Sequence, residues 1–121
     1  MGSVSDTFRE GAMLLVATAD THLDTWLTAL EARINAMSGA NSTQANGTIS
    51  FSVECENAAS ATYTFKQSVT FDTGVVAAGT ALTHCQSVVT ALDAFADAVE
   101  AASAYTTVTD VSVTASVTMS N

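Results

Sequence analysis

The chain has no proline, only three cations and only two cysteines in 121 residues, and each shortage excludes something. Without proline, which averages ~5% of residues, helix and strand ends have to be set by Gly, Ser, Asn and changes of hydrophobic period. Arg9, Arg33 and Lys66 face twelve carboxylates, for a net charge of −9. Three dispersed cations cannot neutralise a run of phosphates, so neither nucleic acid nor an anionic membrane surface is an expected partner. Cys55 and Cys85 are too few for a disulfide scaffold and lack C-x-x-C spacing. Both fall on apolar faces, where a free thiol behaves as a small hydrophobe; a bridge between them would require an oxidising compartment. Long apolar runs are missing too. The uncharged stretch 73–92 contains four Thr, two Gly, a His, a Gln and a Ser, so membrane insertion is not expected. GAMLLVATA carries Asp6 and Glu10 just ahead of it, with only Arg9 against them, and reads as helix rather than signal peptide.

What the chain does have is apolar residues in quantity. They make up 48% of the sequence against 12% charged, the balance of a folded domain rather than a disordered segment. The length fits a single domain, 1–121, with a polar lead-in at 1–6 and a loop at 38–47, SGANSTQANG, rich in Ser, Asn and Gly. The two N-x-S/T sequons of that loop, at Asn41 and Asn46, read as products of its composition.

Period 2 dominates between Thr48 and Phe71. Ile49, Phe51, Val53 and Cys55 share one face of a strand, opposite Ser50, Ser52, Glu54 and Glu56. A second strand repeats the pattern with Ala61, Tyr63, Phe65, Val69 and Phe71, interrupted at Gln67, which fits a strand end or edge. Directly opposed antiparallel residues share a face, so an odd loop around Asn57–Ser60 keeps both apolar faces together; a bulge is the alternative. YTTVTDVSVTASVTM is a third strand, with Tyr105, Val111, Val113, Ala115, Val117 and Met119 on its apolar side.

Period 3.6 governs the rest. Thr7-Phe8-Arg9-Glu10 has the T-x-x-E form of a capping box, and Phe8, Ala12, Leu15, Ala19, Leu23, Trp26, Leu30, Ile34 and Met37 follow at helical spacing. A helix over 7–38 would be about 48 Å long, more than the strands can cover. Either it breaks near Gly11 or Thr18–Thr21, or its first turns project, and Phe8, Met13, Leu14 and Val16 are covered by a partner or by the C-terminal elements of the same chain. The second helix is expected from Val75 to about Ala102, capped by Asp72 or Thr73. Beside its core stripe runs a line of small residues that includes Ala91, Ala94 and Ala98. The expected fold is therefore α+β in the order α-β-β-α-β, a three-stranded, mainly antiparallel sheet with two long helices on one face.

Chemistry is harder to find. His22 and His84 belong to no metal-binding spacing, and neighbouring residues on a helix cannot make a Cys85–His84 dyad. Glu54 and Glu56, and Asp93, Asp97 and Glu100, sit on faces expected to be solvated, without the EF-hand spacing that cation binding favours. No phosphate-binding or nucleophile-elbow motif is present. The expectation is a chain that is not an enzyme and carries no cofactor and no metal.

Self-association is the favoured reading, as a homo-oligomer or beside other assembly subunits. Its candidate surface comprises Phe8, Met13, Leu14 and Val16, the small residues Ala91, Ala94 and Ala98, and the polar sheet face of Ser50, Ser52, Thr62, Thr64, Ser112 and Thr114. The order of helix, strands, helix and strand is similar to that of small tail-completion or tail-terminator proteins of tailed phages. That resemblance, one of element order, implies a virion component. The alternative is a module that binds an apolar ligand or partner protein between helices and sheet, around Trp26, Tyr63, Phe65 and Phe95.

Overall fold

Alternation of apolar and polar side chains builds four long strands. The computed structural model describes residues 1–11, 14–101 and 105–121. Along the chain lie β1 (Gly2–Glu10), β2 (Leu14–Leu15), α1 (Val16–Ser38), β3 (Gln44–Asn57), β4 (Thr62–Asp72), α2 (Thr80–Ala101) and β5 (Tyr105–Ser120). The long strands are ordered β1-β5-β3-β4, all pairings are antiparallel, and the two-residue β2 also pairs with β5. The fold is α+β with an antiparallel sheet, as expected. The sheet has four long strands rather than three, and the order is β-α-β-β-α-β.

The correction comes from residues 2–10, which form an edge strand where a helix start was expected. The side of β1 that faces the helices reads Gly2, Val4, Asp6, Phe8, Glu10, and its two carboxylates disguise the alternation. An edge strand can hold them because α1 supplies partners: Arg33 Nη1 lies 2.9 Å from Asp6 and His22 Nδ1 lies 2.6 Å from Glu10. The apparent capping box is therefore part of β1, and Thr7 pairs with Thr114 of β5. The overlong helix disappears with it. At 23 residues, α1 spans about 35 Å, close to the reach of the edge strands β1 and β4 and shorter than β3 and β5.

The core fills the space between the sheet and the helices. Leu23, Leu27, Leu30 and Ile34 of α1 and Cys85, Val89, Leu92 and Val99 of α2 meet Ile49, Phe51, Val53 and Cys55 of β3, all buried. Each buried aliphatic side chain contributes about 1.5–3 kcal/mol of transfer free energy. Cys55 and Cys85 are free thiols within this core, and burial raises both thiol pKa values.

The β3–β4 hairpin closes with an odd loop between the Glu56–Thr62 pair. Asn57 Oδ1 accepts the Ala59 and Ala61 amides at 3.0 Å, and Ser60 turns the chain at φ +62°. The apparently clean alternation of β5 conceals two register shifts. Thr109 is the extra residue at one of them, so Val108, even-numbered, joins odd-numbered Val111 and Val113 in the core. Its hydroxyl donates to the Glu54 carboxylate at 2.7 Å.

Two further boundaries differ from expectation. β3 begins at Gln44, inside the expected loop, and α2 begins at Thr80. Asp72 and Thr73 do not cap the helix. Asp72 accepts the Gly74 amide and Thr73 Oγ1 accepts the Ala45 amide. Gly74 and Gly79, at φ +61° and +86°, turn the connection, which the Val76 and Gly79 amides tie to the Thr43 and Ser42 carbonyls. No helix among the described residues is long and apolar enough to cross a membrane.

Candidate functional site

Both helices lie on one side of the sheet, so among the described residues the other side is bare, and its register can be read across all four strands. One row runs Thr7, Thr114, Ser50, Ser68, and the next runs Ser5, Ser116, Thr48, Thr70. Hydroxyls bond between strands: Ser50 with Ser68 at 3.0 Å, Thr48 with Thr70 at 3.2 Å, and Ser5 with Ser116 at 3.4 Å. On the other side of the Thr7 row comes Arg9, Ser112, Ser52, Lys66, with a cation on each edge strand. Arg9 reaches Asp110 at 3.6 Å. Among the described residues, Lys66 has no carboxylate partner.

Ser50, Ser52, Thr62, Thr64, Ser112 and Thr114 thus belong to one surface, as their spacing suggests. The remaining candidates do not join it. Phe8 points to the helix side and packs against Trp26, with ring centroids 6.1 Å apart. Leu14 lies in β2 and Val16 starts α1, while Met13 falls outside the described residues. Ala91, Ala94 and Ala98 are exposed on α2. They lie away from α1, which meets α2 on another side, where Gln86 donates to Asn35 at 3.3 Å.

The outer side of the helical layer has the opposite chemistry. Asp20 and Asp24 of α1 face Asp93, Asp97 and Glu100 of α2, and carboxylate oxygens of Asp20, Asp24 and Asp97 lie within 4.8 Å of one another. Asp20 also borders apolar Leu23, Val99 and Val108. Burial there, a hydrogen bond with Glu100 and repulsion from Asp24, Glu100 and Asp97 push its pKa up to about 7. Asp93 shifts upward for similar reasons, first burial and then its hydrogen bond to Asp24. Each of these carboxyl pairs needs one proton to make its hydrogen bond. The groove could accept cations chemically, but exposed acidic clusters are common without them. Asp20 escaped the sequence reading; its signal was the i, i+4 spacing to Asp24, which sets two acids on one face of α1.

Between helices and sheet, a cavity of about 20 Å³ is lined by Ala19, Leu23, Phe51, Ala96 and Val111 among others, room for about one water molecule. Trp26, Phe65 and Phe95 pack against the core. Tyr63 stays exposed, 5.0 Å from Tyr105 between ring centroids.

Comparison with protein-family models, curated proteins and solved structures finds no match.

Proposed function

We propose that this chain is a non-enzymatic structural subunit that works by self-association through the open face of its sheet, as a small head or tail component of a tailed-phage-like virion would. The observation that supports the reading is the partition of charge. Eight carboxylates and one cation belong to the helical side, four carboxylates and two cations to the open face. Of the net −9, the helical side thus carries −7 and the open face −2. Two copies can approach with little repulsion only through the sheet, whose middle rows are hydroxyls and methyls that tolerate both water and contact.

The phage-like part of the proposal comes from element order, to which β1 adds a strand at the front. The apolar-ligand alternative gains nothing from a cavity of about 20 Å³.

Sedimentation velocity from micromolar to sub-millimolar concentration tests the proposal. The expected result is a mass at multiples of 12.4 kDa that falls when Thr114→Arg places a cation in the middle of the face. A monomer at every concentration overturns it.

A further inference from the structure

The sheet has two open edges, and they are covered differently. Over β1, α1 is fastened by the Asp6–Arg33 and Glu10–His22 pairs. Over β4, cover is complete only at Phe71, which is 8% exposed and lies against His84 of α2. Farther along the same side of β4, Tyr63 is 46% exposed, Gln67 is exposed, and Phe65 and Val69 are half-buried. Their β3 partners Cys55, Phe51, Val53 and Ile49 are at most 4% exposed. β4 is thus an apolar ledge that extends past its own helix. The exposed small residues Ala91, Ala94 and Ala98 lie on the flank of α2 away from α1, the flank from which His84 reaches Phe71 over β4.

We propose that a second copy of this chain covers the ledge, by antiparallel pairing of β4 with β4 of its partner about a two-fold axis at Gln67. The inference deepens the self-association reading and rests on it. Strand parity selects the register. With Gln67 opposite its own counterpart, Phe65 meets Val69, Tyr63 meets Phe71, Lys66 meets Ser68 and Thr64 meets Thr70. Each apolar residue faces an apolar one, hydroxyls continue the outer rows, and no like charges oppose. Moving the axis to Lys66 would set two ammonium groups face to face.

This register also accounts for the polar residue in the middle of the apolar ledge. A primary amide carries both donor and acceptor, so on a two-fold axis Gln67 bonds its own copy and fixes the alignment. Between Thr62 and Phe71, Lys66 is the only charged residue of β4, and the chain has no proline to block an edge. Across the junction, the two small-residue flanks of α2 would face each other over the paired ledges. The product is a continuous sheet of eight long strands in a closed, isologous dimer, the commonest oligomeric symmetry.

Mass in solution is compared for the wild type, Gln67→Glu and Thr114→Arg, each checked for native circular dichroism. Like charges placed opposite each other are expected to weaken the edge dimer roughly 100-fold in Gln67→Glu. Thr114→Arg is expected to leave that dimer and remove larger species. Gln67→Cys is expected to give a disulfide-linked dimer on mild oxidation, since Cys55 and Cys85 are buried. Unchanged assembly in Gln67→Glu together with no cross-link in Gln67→Cys overturns the edge inference, and the face reading then stands if Thr114→Arg still dissociates the protein. A dimer lost in Gln67→Glu, with no species larger than the dimer in the wild type or with such species unaffected by Thr114→Arg, sinks the face reading alone. A wild type that is monomeric throughout overturns both.

Discussion

Replacing Asp20 with Asn tests whether the acidic groove between the helices strains the fold. The Asp20 carboxyl is raised from 3.8 to about 7, so the folded state holds this proton more tightly than the unfolded chain does. As pH rises from about 4 towards 7 the unfolded state releases the proton first, and folding stability falls until the native group has also ionised. A shift of about three pKa units corresponds to an upper bound of about 4 kcal/mol. Asp20 is partly exposed, and solvent screening reduces the expected effect to roughly 1–2 kcal/mol. Asn keeps a donor for Glu100 and removes the charge. At pH 8 the variant should therefore exceed the wild type by roughly 1–2 kcal/mol, or about 3–10 °C in Tm. At pH 4 the advantage should vanish. Urea denaturation of both proteins from pH 4 to 8 at constant ionic strength is the assay. The His22–Glu10 pair is present in both and cancels in the difference. An Asp20→Asn protein less stable than the wild type at pH 8, or a difference independent of pH, would refute the reasoning.

Two further substitutions test the packing of the sheet. A Cβ on Gly47 would lie 2.3 Å from the Ser116 carbonyl oxygen and 3.0 Å from Val117 Cα, both backbone atoms, so Gly47→Ala should cost about 1–3 kcal/mol or more, read as a lower urea midpoint with unchanged slope. Thr109→Val keeps the β-branched shape but removes the hydroxyl that donates to Glu54. It should cost about 1 kcal/mol by thermal denaturation and leave the assembly state untouched.

Legibility followed the purity of each pattern. β3, β4 and most of β5 were readable because their inward residues are uniformly apolar, and Gln67 correctly marked an edge. Leu23, Leu30, Ile34, Cys85, Val89 and Leu92 fell on the right helical stripes. β1 was not readable, because Asp6 and Glu10 occupy its inward positions and their compensation, Arg33 and His22, lies in another element. A local pattern cannot show a partner more than ten residues away. Val108 was missed for a related reason: a bulge changes strand parity, and the decision is made by pairing with β3 rather than by β5 itself. At the candidate surface, the hydroxyl rows were legible from alternation. The interhelical groove was not, since it exists only once α1 and α2 are placed side by side.

That placement decides how copies of this chain can meet. Two molecules stacked through their open sheets would have the sheets about 10 Å apart and the helical layers about another 10 Å outside each, so the two −7 faces stand about 30 Å from one another. This is several Debye lengths at physiological salt, where the length is about 8 Å, and their repulsion is largely screened. Stacking through the helices would bring the same charges within one Debye length. Edge pairing obeys the same logic on a smaller scale. The acids Asp93, Asp97 and Glu100 occupy the flank of α2 that meets α1, whereas the flank towards β4 carries alanines, so two molecules joined at β4 bring uncharged helix surfaces together. Net charge is thus kept low on both surfaces through which growth is proposed. Association should accordingly depend only weakly on salt between about 0.1 and 0.5 M, where the Debye length is already below about 10 Å. A sharp rise in assembly with added salt would instead mean that the acidic helical faces are in contact.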